Sequence, residues 1–203
     1  HSGFGAGQTP FTGDFNGDQA LDVGTFSGGT WTIALSNGSS FTSPATWVSG
    51  FGSGATPLTG DFNGDGLTDV AGASSGTVSV ALSDGTRLVS QPTTWTTGFG
   101  AGQAVTSADL NGDGLTDLLY YDKATGAIVA APSTGQGFGT TQTLMSDHPF
   151  GLRGTEDVLQ VGDFRGNGLS GFGVFNALSG AAEIAFALGI PPDLLETTAN
   201  GLG

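Results

Sequence analysis

Apolar and polar residues alternate at period two in several short stretches, which is the spacing of half-buried β-strands. Thr77-Val78-Ser79-Val80-Ala81-Leu82-Ser83 does so, and Thr30-Trp31-Thr32-Ile33-Ala34-Leu35 keeps the same register. Ile184, Phe186 and Leu188 continue the pattern in an Ala-rich stretch. Its composition admits a helix, but the preserved alternation favours a strand. Gly28-Gly29, Ser75-Gly76 and Ser179-Gly180 stand just before these stretches, where hairpin turns are expected. No apolar run reaches the roughly 18 residues of a membrane-crossing helix, so no membrane insertion is expected. The start of the chain has no basic-plus-apolar leader pattern. It opens at His1 inside a repeated element, which reads as a mature or excised piece of something longer.

The strands belong to a larger period. Gly3-Phe4-Gly5-Ala6-Gly7 recurs as Gly50-Phe51-Gly52-Ser53-Gly54 and as Gly98-Phe99-Gly100-Ala101-Gly102. Each copy precedes an Asp-rich loop, and the loops begin at Asp14, Asp61 and Asp109, 47 and then 48 residues apart. A degenerate fourth copy follows after 54 residues: Phe150-Gly151, then Asp163-Phe164-Arg165-Gly166-Asn167-Gly168. A period of about 40–50 residues predicts an all-β chain of β-propeller blades, each burying faces that one small sheet cannot bury alone. The units run over 3–49, 50–97 and 98–147, each with a metal loop, then a degenerate 148–190 and a tail or linker over 191–203. Four units of about 48 residues are fewer than the seven blades usual in the family named below, so a larger propeller is expected. Trp47 and Trp95 close the first two units and are expected to pack between neighbouring blades.

Charge narrows the chemistry. Four Lys and Arg against 18 Asp and Glu give −14, which argues against nucleic acid or an anionic membrane as partner. Fifteen of those acids are Asp, concentrated in Gly/Asn loops, and that points to a hard cation. Cysteine is absent, so neither disulfides nor thiolate-bound zinc can form.

In Asp61-x-Asn63-x-Asp65-Gly66-Leu67-Thr68-Asp69, oxygen-bearing side chains occupy positions 1, 3, 5 and 9. The Leu67 carbonyl at position 7 can complete a shell, and Gly66 permits the sharp turn, as in other calcium loops. The first loop offers Asp14, Asn16, Asp18, Asp22 and the carbonyl of Ala20; the third offers Asp109, Asn111, Asp113, Asp117 and the carbonyl of Leu115. Three carboxylates within nine residues repel one another unless a cation sits among them. About three Ca²⁺ ions are expected, bringing −14 to −8. Magnesium suits an all-protein oxygen cage less well. An EF-hand would need Glu at position 12, where Thr25, Gly72 and Tyr120 stand instead. The alternative is three Asx-Gly hairpin turns with no metal.

Gly-Phe-Gly-x-Gly paired with Thr-Gly-Asp-Phe-Asn-Gly-Asp-Gly-x-x-Asp-Val resembles the FG-GAP/VCBS repeats of integrin-α-type β-propellers. The resemblance covers 3–122 closely and 148–190 loosely. It implies that each loop joins the first two strands of a blade and binds Ca²⁺. Gln19 replaces the usual Gly in the first loop; Arg165 and Gly171 replace ligands in the fourth, which is expected to bind nothing. The tail Pro191–Gly203 resembles the segment that follows such repeats in Rhs-type and insecticidal toxin-complex proteins, implying a large bacterial surface or toxin protein.

No catalytic constellation is present. His1 and His148 are the only histidines, with no nucleophile-elbow or phosphate-cradling motif and no basic groove. The chain is expected not to be an enzyme but a secreted or cell-surface scaffold, whose partner is a protein or a neighbouring domain of a larger chain. The competing reading is a lectin-like propeller with Trp31, Trp47 or Trp95 stacking on sugars; a third is an accessory region of a polysaccharide-active enzyme. Exposed tryptophans favour the lectin and buried ones the scaffold.

Overall fold

The computed structural model describes residues 5–146, 157–166, 169–176, 182–186 and 196–199. Among the described residues, sixteen strands form four antiparallel four-stranded sheets, each a meander in chain order. The first holds β1 (Thr9–Gly13), β2 (Asp22–Ser27), β3 (Thr30–Ala34) and β4 (Ala45–Val48). The second holds β5 (Thr56–Gly60), β6 (Asp69–Ser74), β7 (Thr77–Ser83) and β8 (Leu88–Ser90). The third holds β9 (Ala104–Ala108), β10 (Asp117–Asp122), β11 (Ala127–Ala131) and β12 (Gln142–Met145). The fourth holds β13 (Asp157–Gly162), β14 (Gly171–Asn176), β15 (Ala182–Phe186) and β16 (Glu196–Ala199). The fold is all-β, with sheets of the propeller-blade type, and among the described residues no helix is long and apolar enough to cross a membrane.

The expected hairpins form where Gly supplies left-handed backbone. Gly28 and Gly29 have φ of 55° and 88°, and Ser75 and Gly76 have 51° and 82°. Positive φ at both central residues is what a tight type I′ hairpin requires. Ser179-Gly180 and Leu188 lie outside the described residues, but β15 confirms a strand rather than a helix over Ala182–Phe186.

One boundary is corrected. The stretch expected to be tail contains β16, which pairs antiparallel with β15 from Glu183↔Ala199 to Phe186↔Glu196. Glu196-Thr197-Thr198-Ala199 has a single apolar residue, so it carries no period-two signal. An outermost strand, bonded along one edge only, can be that short.

By internal contacts the chain divides into two compact units, one formed by His1–Ala101 with Gly135–Gly137, the other by Gly102–Thr134 with Phe138–Gly203. In the first unit, Phe15, Phe26, Trp31, Ile33 and Trp47 of the first blade pack with Val70, Ala81 and Leu88 of the second. The Trp31 ring lies 4.6 Å from Phe26 and 5.2 Å from Phe11, and its Nε1–H donates to the Phe51 carbonyl at 3.1 Å. Phe51 and Phe99 of the Gly-Phe-Gly elements are buried, and their backbone N–H groups bond the carbonyls of Gly29 and Gly76 on the preceding hairpins. The Gly-Phe-Gly element that opens the second repeat is thus a clasp between the first and second blades. In the second unit, Leu110, Leu119, Tyr121, Ile128 and Ala130 pack with Phe172 and Val174.

Candidate metal loops

Each candidate loop joins the first two strands of its sheet and starts from a register pair at the strand ends, such as Gly60↔Asp69. The aromatic or aliphatic residue at position 2 (Phe15, Phe62, Leu110) is fully buried and anchors the loop. The position-1 carboxylates turn back onto the loop's own amides. Asp61 accepts from Gly64 N–H at 2.6 Å and Gly66 N–H at 2.8 Å; Asp109 accepts from Gly112 at 2.7 Å and Gly114 at 3.1 Å. Asp14 accepts from Gly17 and Gln19, each at 2.7 Å.

Positions 3 and 5 are linked in the same way in all three copies. The Asn carbonyl of Asn16, Asn63 and Asn111 accepts from the position-5 amide, and its Nδ2 donates to Asp18, Asp65 and Asp113 at 2.9–3.0 Å. The other oxygen of each position-5 Asp accepts from the amide of Ala20, Leu67 or Leu115. Glycines at positions 4 and 6 have φ near 80°, Gly64 at 79° and Gly66 at 84°. Gln19 adopts 68° at position 6, one of two non-glycine residues with positive φ among those described. It keeps the loop's shape at the expense of backbone strain.

Position 9 behaves differently. Asp22, Asp69 and Asp117 are wholly buried. One oxygen of each accepts from the position-2 amide at 2.9–3.0 Å, and the other accepts from the amide of Ser36, Ser83 or Ser133, at or just past the end of the third strand, at 2.7–2.8 Å. Burial pushes the Asp69 carboxyl up to about 7 against the pull of these two bonds, with Asp65 and Asp61 adding repulsion. The same causes raise Asp117 to about 6, with Asp113 and Asp109 as the neighbours.

The donor chemistry fits a hard divalent cation: all oxygen, two exposed or half-exposed carboxylates and an amide on one small loop, with a third carboxylate beneath. Among the described residues, however, no three carboxylate or imidazole groups converge on one point. The structure folds position 1 onto the loop's own amides, pairs positions 3 and 5 with each other, and ties the buried position 9 to the position-2 amide as a strut. In the fourth loop Asp163 accepts from Arg165 N–H at 3.2 Å, and Gly171 leaves position 9 without a carboxylate. His1 and His148 lie outside the described residues.

Two partners escaped the sequence. Ser83 stands 14 residues after Asp69, and Ser36 stands 14 after Asp22; the repeated Asp-to-Ser interval was the available signal. Thr68, at position 8, bridges to the preceding loop: its N–H donates to the Asp14 carbonyl at 2.7 Å, and its Oγ1 accepts from Asp14 N–H at 3.0 Å.

Comparison with known proteins agrees with the repeat. The FG-GAP-like repeat model matches residues 14–72 and again 61–120, together more than half of the chain. No curated protein matches the chain significantly. Among solved structures, a lectin of Agrocybe aegerita that specifically recognises non-reducing terminal N-acetylglucosamine superposes with a TM-score of 0.71 at 19% identity. The match covers 95% of this chain and 51% of the lectin. A chain of the Photorhabdus luminescens Tc holotoxin pore superposes with a TM-score of 0.66 at 22% identity, over 93% of this chain and 9% of that one. These are likenesses of fold, and this chain spans only about half of the lectin. The sequence repeat, the clasped four-stranded sheets and the three matching loops converge on one conclusion: the chain belongs to the FG-GAP-like repeat family.

Proposed function

We propose that this chain is a calcium-stabilised, non-catalytic β-propeller scaffold that serves a secreted or surface protein as an interaction module. The observation that carries the calcium reading is the threefold copy of one loop, with the same Asn–Asp pairing and the same bonding of the position-1 and position-9 carboxylates to amides, which sets two carboxylates and an amide beside a buried third carboxylate. Asp61, Asn63 and Asp65 would hold the ion with the Leu67 carbonyl, and likewise in the other two loops. Binding requires the Asn and position-5 side chains to exchange their mutual hydrogen bond for the cation. The ion would supply the countercharge that the carboxylates lack. The buried position-9 Asp orients the loop from below.

Burial of Trp31, Trp47 and Trp95, none more than 9% exposed, supports the scaffold over a lectin that stacks sugars on tryptophan. Likeness to a toxin-complex chain supports a place within a large assembly, its partner a protein or adjoining domain. Isothermal titration tests the reading: three Ca²⁺ per chain, two after Asp113→Ala, and no loss after Asp163→Ala. Calorimetry should show each site adding roughly 2.7 kcal/mol at about one hundred times its dissociation constant. No heat of binding and an unchanged transition in EDTA would refute it.

A further inference from the structure

Four consecutive residues of the first loop rest on the second blade, all inside the first compact unit. At position 1, Asp14 N–H donates to Thr68 Oγ1 at 3.0 Å, and the Asp14 carbonyl accepts from Thr68 N–H at 2.7 Å. At position 2, the Phe15 carbonyl accepts from the Ser83 hydroxyl at 2.7 Å. At position 3, a Cβ on Gly85 would stand 3.9 Å from the Asn16 carbonyl oxygen. At position 4, a Cβ on Gly17 would meet Leu67 Cδ2 at 2.8 Å, so a larger residue there would displace Leu67.

The surface that receives them is governed by the second loop. Leu67 and Thr68 are its positions 7 and 8, and the Leu67 carbonyl is one of its candidate ligands. The pair is held at both ends. Leu67 N–H donates to the exposed Asp65 carboxylate at 2.9 Å, and Asp69, which follows Thr68, is tied by its two oxygens to the amides of Phe62 and Ser83. Ser83 is thus held by Asp69 through its amide and holds Phe15 through its hydroxyl. Burial fixes the Asp69 end. The Asp65 end is exposed, and its carboxylate is repelled by its neighbours until a cation offsets them.

The second unit has the same bracket with a different partner. Leu169 lies over Gly112, and Ser170 N–H donates to the Asp109 carbonyl at 3.1 Å. Those two residues belong to the fourth loop, where Arg165 and Gly171 replace ligands, so this bracket on the third loop does not depend on an ion in the loop that supplies it.

We infer that Leu67 and Thr68 are positioning residues for the calcium site of the first loop, so that the first and second sites bind calcium with positive cooperativity. The inference rests on the calcium reading above. Filling the second loop fixes Leu67 and Thr68; the backbone of Asp14 and Gly17 is then already ordered when the first loop fills, and less conformational entropy is lost. Charge works the other way, because an ion in one loop weakens the pull of the next. Salt screens that term and leaves the ordering term intact, so the cooperativity should grow as salt is raised.

Isothermal titration of the whole chain in about 0.5 M KCl tests this with charge largely screened. Asp113→Ala is carried throughout to leave the first and second sites. Adding Asp65→Ala gives the first site alone, and adding Asp18→Ala gives the second alone. The product of the two association constants in the two-site chain should exceed the product of the single-site constants by at least ~fivefold, the lower end of ordinary coupling between sites. Thr68→Val keeps the shape and loses the hydroxyl that Asp14 N–H reaches, so it should bring this ratio toward one with both ions still bound; Thr68→Ser should retain it. A Thr68 that only stabilises the fold would lower the melting temperature on replacement and leave the ratio unchanged. A ratio of one in the parent, or one unaffected by Thr68→Val, would overturn the inference and leave the calcium sites standing, whereas no calcium bound at either loop would overturn the calcium reading with it.

Discussion

Replacing Asp69 by Ala removes a side chain that joins the second loop to the end of β7. Its two oxygens accept from Phe62 N–H at 3.0 Å and Ser83 N–H at 2.8 Å, and both bonds are buried. A buried donor left without a partner costs about 1–3 kcal/mol, so the two together cost roughly 2–6 kcal/mol. Loss of a desolvated, repelled carboxylate offsets part of this, leaving a net destabilisation of about 2–4 kcal/mol. Against a typical domain stability of roughly 5–15 kcal/mol that is a large fraction. Urea unfolding in EDTA, followed by the fluorescence of the three buried tryptophans, measures it without interference from metal. Asp65→Ala is the companion: its side chain is exposed and bonds only within the loop, so in EDTA it should change stability by about 0.5 kcal/mol or less. In calcium the order should tighten, because Asp65 then loses a ligand as well. A loss below about 1 kcal/mol for Asp69→Ala in EDTA, or one seen only with calcium present, would refute the strut.

Two further outcomes follow from the same loops. The carboxyls of Asp69 and Asp117, raised to about 7 and 6 by burial, bind protons more readily in the folded chain than in the unfolded one, so without calcium the urea midpoint should fall as pH rises from about 4 through about 7. Asp84 and Asp122, lowered chiefly by the hydroxyls of Thr86 and Thr125, titrate below that window; a midpoint that rises across it would contradict the assignment. Gln19→Gly should relieve the strain at φ 68° and raise stability by about 0.5–1 kcal/mol, the gain in backbone conformation being partly offset by a freer unfolded chain, as differential scanning calorimetry would register.

The repeat, the strands and the loop positions were legible in the sequence because they are local. Period-two alternation places Trp31 and Ile33 on one face whatever lies beyond it, and Gly at positions 4 and 6 reports a backbone conformation directly. The role of position 9 was not legible. Asp69 has the spacing of a ligand, and that spacing does not reveal that its oxygens also accept from two amides, one of them 14 residues away across the sheet. Nor could alternation show which face of a blade meets its neighbour, so the bracket between Thr68 and Asp14 was missed. β16 escaped because an edge strand of Glu, Thr, Thr and Ala needs no apolar face of its own. The tryptophans could be given two fates by sequence, and only packing against Phe11, Phe26 and Phe51 decides for burial of Trp31.

The bracket by which Thr68 holds both backbone groups of Asp14 makes that aspartate a remote sensor. Its amide can meet solvent deuterium only when the next blade's loop lets go, so its exchange rate reads the opening of residues 54 positions away rather than of its own turn. A mutation or ion that loosens the second loop becomes visible as a faster signal in the first. Neighbouring loops then behave as linked spins in a one-dimensional lattice, each biased by the state of the next.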